Sequence, residues 1–145
     1  MPLVQKSALV AFSTAQMFAL VNDVERYPEF LPWCGGARVL TLNALTTVAT
    51  LDINYHGIRQ TFTTTNTKQG TESMQISLRE GPFKELEGVW QFTRLEIAAC
   101  KVALRLDYSF ANTILETAVG PVFGMIANTM IESFVARADA LYGDG

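Results

Sequence analysis

TVATLDINYHGIRQTFTTT, residues 47–65, is the stretch that decides the fold. Ala49, Leu51, Ile53 and Tyr55 fall on one side of an extended chain, while Thr50, Asp52 and Asn54 fall on the other. That is the period-2 signature of a half-buried strand. His56-Gly57 supplies a two-residue turn, and beyond it Ile58, Gln60, Phe62 and Thr64 oppose Arg59, Thr61, Thr63 and Thr65. The result expected is an antiparallel hairpin with one face toward a core and one toward water.

The same alternation extends in both directions from Ala37 onward. Downstream, Met74, Ile76 and Leu78 alternate with Ser73, Gln75, Ser77 and Arg79. Leu86, Gly88, Trp90 and Phe92 alternate with Glu85, Glu87 and Gln91, and Val102, Leu104, Leu106, Tyr108 and Phe110 with Lys101, Arg105, Asp107 and Ser109. Turn signals at Asn43-Ala44, Gln69-Gly70, Gly81-Pro82 and Ala98-Ala99 are hairpin-length, so the strands form a meander.

The two ends are different. Val4–Phe12 reads as a strand, followed by a helix from Thr14 whose start carries Ser13 as N-cap and Gln16 three residues on, with Phe12 placed to staple onto Met17. Met17, Leu20, Val21 and Val24 give that helix its apolar face. Pro28 and Pro32 then restrict DVERYPEFLPWCGG to short turns. From Ile114 to Tyr142 the period returns to that of a helix, with Val119, Val122, Phe123, Ile126, Met130, Phe134, Ala138 and Leu141 as a long apolar stripe; Gly120-Pro121 should kink or restart it. The order is strand, helix, antiparallel meander, long helix. The expectation is one α+β domain over residues 1–145 in helix-grip form: a curved antiparallel sheet wrapped around the terminal helix, with an apolar cavity where the facing side chains fail to interdigitate.

Composition limits the functions open to such a domain. The net charge of −3 argues against a DNA-binding protein. Cys34 and Cys100 are too few for a disulfide framework or a zinc site, and no glycine-rich phosphate loop follows a strand, so neither metal nor cofactor is expected. No catalytic residue is assigned: His56 is the sole histidine and sits in a turn, and no carboxylate pair lies on an apolar strand face. The N-terminus lacks the pattern of a secretory or transit peptide and no continuous apolar run is long enough to span a bilayer, so the expected location is cytoplasmic, with any contact at the inner membrane peripheral.

QMFALVNDVERYPEFLPWCGG, RQTFTTTNT, SLREGPFKELEGVWQFTRL, CKVALRLDYSF and MIESFVARADALY together resemble the coenzyme Q-binding START-domain family, of the START-like (SRPBCC) class, over nearly the whole chain. The resemblance implies the helix-grip fold and a non-catalytic carrier for ubiquinone or another isoprenoid lipid, supporting respiration. For bacterial members of the ribosome association toxin type it implies an alternative: binding of the large ribosomal subunit, which blocks subunit association and inhibits translation. Cyclase or dehydratase activity, named for the superfamily, is not compelled by the shared motif; Tyr55 or Tyr108 would be the residue to carry it.

Under the ligand reading, Phe62, Trp90, Leu104, Phe123, Ile126, Met130 and Phe134 should form the ridge and wall of the cavity, with Met74 as an adaptable neighbour. Phe30 and Trp33 should plug the core or line the mouth, Tyr55 and Tyr108 should offer hydroxyls to a ligand carbonyl, and Ala127 should skirt the ligand's tail. Under the ribosome reading, Arg59, Arg79, Lys101 and Arg105 on the polar sheet face are the expected rRNA contacts.

Overall fold

The computed structural model describes residues 3–143. Seven antiparallel strands form one sheet: β1 (Leu3–Val10), β2 (Cys34–Leu42), β3 (Thr46–Tyr55), β4 (Ile58–Gln69), β5 (Ser73–Glu80), β6 (Phe83–Glu96) and β7 (Ala99–Phe110). Their order across the sheet is β1-β7-β6-β5-β4-β3-β2, a meander from β2 to β7 with the N-terminal strand added at its far edge. Two helices, α1 (Thr14–Asn22) and α2 (Thr113–Tyr142), and a 3-10 turn at Val24–Glu29 lie against it. The expected α+β helix-grip architecture is the architecture found.

Local chemistry accounts for the boundaries. Ser13 and Gln16 close a reciprocal capping box, the hydroxyl accepting from the Gln16 N–H and the Gln16 side chain accepting from the Ser13 N–H, so α1 starts at Thr14. His56 and Gly57 both take positive φ, 50° and 83°, as a tight two-residue hairpin demands, and glycine there meets no steric penalty. Phe12 lies beyond β1 and its ring neighbours Tyr142 at the end of α2, centroids 6.0 Å apart.

The long helix corrects one expectation. α2 runs as a single element of 30 residues with Pro121 inside it, so Gly120-Pro121 does not restart it. The proline removes one backbone bond, but Asn112 caps the helix upstream, its side chain accepting from the Leu115 N–H, and buried Val119 and Phe123 hold the turns on either side. Leu141, the last residue of the apolar stripe, is exposed. An 18-residue window within Thr113–Tyr142 is apolar enough to span a bilayer by composition, with a mean hydropathy of 1.4. In this fold its stripe of Val119, Phe123, Ile126, Ala127, Ile131, Phe134 and Ala138 is buried within the domain.

α2 does not sit centrally. It rests on β7 and β1 and on α1, and touches β4 only lightly. The half of the sheet from β3 to β5 is therefore left partly uncovered by the helix, and the site extends from there across to β6 and β7.

Candidate functional site

A cavity of about 70 Å³ lies between α2, the 3-10 turn and the inner face of β3 to β7. Phe62, Met74, Trp90 and Leu104 line it from the sheet, Phe123, Ile126 and Met130 from α2, and Trp33 from the segment before β2. These are the places where inward-facing residues of successive strands point at a helix that stands off from them. Leu51, Ile76 and Met130 are half-buried, which marks the side on which the cavity reaches solvent. For comparison, an engineered apolar cavity of about 150 Å³ takes benzene. A larger guest therefore enters here only by displacing wall side chains, of which the unbranched Met74 and Met130 move at least cost.

Five of the expected ligand contacts lie elsewhere. Phe134 is fully buried and held by the rings of Tyr27, Phe30 and Trp90, with centroids 5.4, 5.2 and 5.3 Å away, so it is a packed plug. Phe30 is on the outside of that plug, under the Arg137 guanidinium at 5.0 Å. Tyr108 is wedged between Phe83 and Phe123, at 6.4 and 4.7 Å, and burial raises the pKa of its hydroxyl. Tyr55 is at the hairpin end of β3, edge-on to His56 at 4.2 Å. Ala127 has no exposed surface and does not line the cavity, although its helix neighbours Phe123, Ile126 and Met130 do.

Sequence reading did not anticipate Val24, Tyr27, Thr64 or Asn66 in the wall. Tyr27 is fixed by donating its hydroxyl proton to the Val21 carbonyl, and burial pushes its pKa far upward. Thr64 and Asn66 are the unexpected chemistry: two polar residues on the inner face, the Thr64 hydroxyl donating to Asn66 Oδ1 at 3.0 Å. Two residues further along the same face Lys68 is also buried, its ammonium donating to the Asn43 carbonyl at 2.7 Å. Desolvation lowers its pKa. The rule of one apolar and one polar sheet face thus fails along the second half of β4.

Glu29 and Arg137 join the 3-10 turn to α2 through a 2.7 Å ion pair. The Arg137 side chain beside it holds the Glu29 carboxyl below the usual carboxylate range. The buried Cys34 thiol, donating to the Gly36 carbonyl, is pushed up to about 11 by burial. Among the described residues no three of His, Cys, Asp and Glu gather into a metal-binding group.

On the outer face Arg59, Arg79, Lys101 and Arg105 are all exposed, but they do not form one patch. Arg59 shares a depression with Asp52, whose carboxylate also pairs with Arg38 at 3.0 Å. Glu87 and Asp107 stand directly opposite each other on β6 and β7. Lys101 and Arg105 border a shallow groove with Lys6, Gln5, Ser7 and Gln91 in which no carboxylate takes part, and Arg105 also lines the adjoining depression that holds Glu87 and Asp107.

Residues 10–135 match the family described as polyketide cyclase / dehydrase and lipid transport. The chain is 48% identical over 141 residues to the ribosome association toxin RatA of Vibrio cholerae (El Tor Inaba N16961), covering 97% of this chain and 98% of that protein. It is 23% identical over 142 residues to the Xenopus laevis coenzyme Q-binding protein COQ10 homolog B, mitochondrial, covering 95% of this chain and 58% of that one. A START superfamily protein from Mycobacterium smegmatis has the same fold, with a TM-score of 0.80 at 20% identity over 96% of this chain and 98% of that chain.

Proposed function

Because the chain belongs to the START-like polyketide cyclase / dehydrase and lipid transport family, we propose that within it this protein acts by ribosome association, binding the large subunit without catalysis and so inhibiting translation from the cytoplasm. The observation that carries this reading is its near-half identity, end to end, with the Vibrio cholerae ribosome association toxin, against less than a quarter for the coenzyme Q-binding relative. It displaces ubiquinone carriage from first place.

The outer groove of Lys6, Lys101 and Arg105 supports the choice of surface. An rRNA backbone is a line of negative charge that exposed cations meet by releasing counterions, and nearby carboxylates weaken that exchange. Lys101 has none in its groove, and Arg105 has none there but shares a neighbouring depression with Glu87 and Asp107, whereas Arg59 faces Asp52 and Arg79 is followed in the chain by Glu80. The test is co-sedimentation with purified large subunits across a salt series. Lys101→Glu with Arg105→Glu should weaken binding at least tenfold and flatten the dependence on log salt by roughly one to two. Unchanged co-sedimentation of that double variant assigns the contact to another surface, and a parent protein that never sediments with large subunits ends the ribosome reading.

A second reading is favoured by the cavity itself: an apolar ligand held between α2 and the sheet, independent of the outer face. Ubiquinone or another isoprenoid lipid is the ligand proposed for it, and mass spectrometry of lipid extracted from the purified native protein decides whether one is carried. The two readings use opposite faces of the sheet and are compatible.

A further inference from the structure

The outer face of β5 to β7 sorts its charges by height along the strands. Pairing places Asp107 beside Glu87 and Glu87 beside Ser77, with Ser109 and Glu85 one step further toward the Gly81-Pro82 turn. In the other direction come Arg105, Val89 and Gln75, then Ala103, Gln91 and Ser73, and Lys101 beside Thr93 ends the series. Asp107 and Lys101 therefore stand roughly 20 Å apart along β7, at about 3.3 Å per residue. Like charges directly opposite on neighbouring strands repel, so Glu87 beside Asp107 is unfavourable in an isolated domain. Nothing on the chain neutralises the pair: among the described residues, none of Glu85, Glu87, Asp107, Lys101 and Arg105 enters an ion pair. Asp107 Oδ1 and Ser109 Oγ are moreover buried without a hydrogen-bond partner, at the same acidic end. One end of the face is thus acidic and uncompensated, the other basic and equally free.

We infer that this face docks a second copy of the chain. A two-fold axis lying in the plane of the sheet and crossing β7 between Ala103 and Arg105 lays each β7 over its counterpart in the opposite direction. Asp107 then comes over Lys101 of the other copy, with Glu87 beside it, and the same contact is made twice. Near the axis Val89, Gln91 and Ala103 carry no charge to be desolvated as the faces approach. A partner of one sign, whether a polyanion or a basic peptide, would be repelled by one end of this face; a surface bipolar at the same spacing suits both ends, and the other copy has that spacing by identity. Four strands over about nine residues offer roughly 500 Å² per copy, near the lower limit for a specific interface, so the dimer is weak and governed by concentration. One consequence rests on the ribosome reading: the dimer covers Lys101 and Arg105, the cations proposed for rRNA, and is therefore the form that cannot engage the large subunit.

The experiment is sedimentation velocity of the full chain across the micromolar range at low salt. The parent should pass from monomer to dimer, and raising the salt from about 0.05 M to about 0.5 M should weaken the dimer about tenfold. Lys101→Glu with Arg105→Glu makes both ends acidic, whereas Glu85→Lys with Glu87→Lys turns the acidic end net positive. All four residues are exposed, so both variants should fold, which circular dichroism checks. Each variant alone should stay monomeric, and an equimolar mixture of the two should form a heterodimer about as tight as the parent dimer, because opposite signs again meet at both contacts. A parent that remains monomeric at every concentration, a dimer indifferent to either double substitution, or a mixture that remains monomeric would each overturn the inference. None of these outcomes depends on ribosome binding. Large subunits added to the parent dimer should draw it apart, and a dimer bound to them intact would overturn the masking of Lys101 and Arg105.

Discussion

The inner faces of β7 and β4 look at the same helix and have been filled in opposite ways. On β7 the inward residues are Cys100, Val102, Leu104, Leu106 and Tyr108, all buried; α2 makes its fullest strand contact with β7, and of these residues only Leu104 and Leu106 also border the cavity. On β4 they run Phe62, Thr64, Asn66, Lys68, equally buried but polar after the first, and α2 scarcely touches them. Burial alone therefore does not distinguish core from cavity. The contrast teaches that the strand under the helix is lined almost wholly by apolar and aromatic side chains, whereas the one the helix leaves clearer buries polar groups that bond to one another and to the backbone.

Moving an amide from one face to the other should show this most forcefully. Val102→Asn places on β7 what Asn66 places on β4, where no gap exists to receive it. The lost apolar burial and the unsatisfied amide together should remove about 3–4 kcal/mol, read from urea denaturation. A loss below about 1 kcal/mol would mean that β7 tolerates polarity as β4 does, and the comparison would fail.

The next effect belongs to the helix above. Ala127→Trp forces a large ring into the closely packed side of α2 and should cost about 1–3 kcal/mol or more, whereas Met130→Trp at the cavity rim should cost less than half as much. Equal costs in thermal melts would show that the helix is no more tightly seated on one side than on the other.

A smaller effect is expected on β4. Asn66→Leu exchanges a polar side chain for an apolar one at the cavity wall and should leave stability within about 1 kcal/mol of the parent. A clear loss of stability would identify Asn66 as structural and would blunt the contrast with β7.

The smallest effect concerns how firmly the turn beside the cavity is tied to α2. Glu29 has its folded-state pKa depressed, chiefly by its bond to Arg137, so its contribution is complete above the unfolded carboxylate pKa and is lost as pH falls through the folded value. The urea midpoint of the parent should therefore drop more than that of Glu29→Gln between pH 5 and pH 3. Parallel curves would show that this exposed pair contributes nothing measurable.

Much of this arrangement was legible in the chain. The strands, their turns, the start of α1 and the long terminal helix follow from alternation, capping and period, which are local properties. The cavity wall was legible only where it is apolar: Phe62, Trp90, Leu104, Phe123, Ile126 and Met130 stand in it as expected. Thr64 and Asn66 escaped notice because a threonine- and asparagine-rich run resembles a solvent face, although parity counted from Phe62 already turns them inward. Val24 and Tyr27 sit on a 3-10 turn too short to have a period. Phe134 and Ala127 were misplaced for a different reason: a helical stripe says which residues face the sheet, not how far along the helix the gap extends. On the outer face, alternation found the basic residues but could not reveal which of them have a carboxylate for a neighbour.

The sheet order has a temporal side. β1 precedes the other described strands in the chain and pairs only with β7, Val4 beside Leu106 and Val10 beside Cys100, so it must wait for the six strands that follow it before its edge is matched. Loop closure of that length is a search cost incurred before any contact rewards it. The helix that roofs the cavity comes later still in chain order, so during synthesis the inner face stays open until α2 has been made and can pack. A guest or partner that needs the finished cavity or the β1–β7 groove can meet it only after that point.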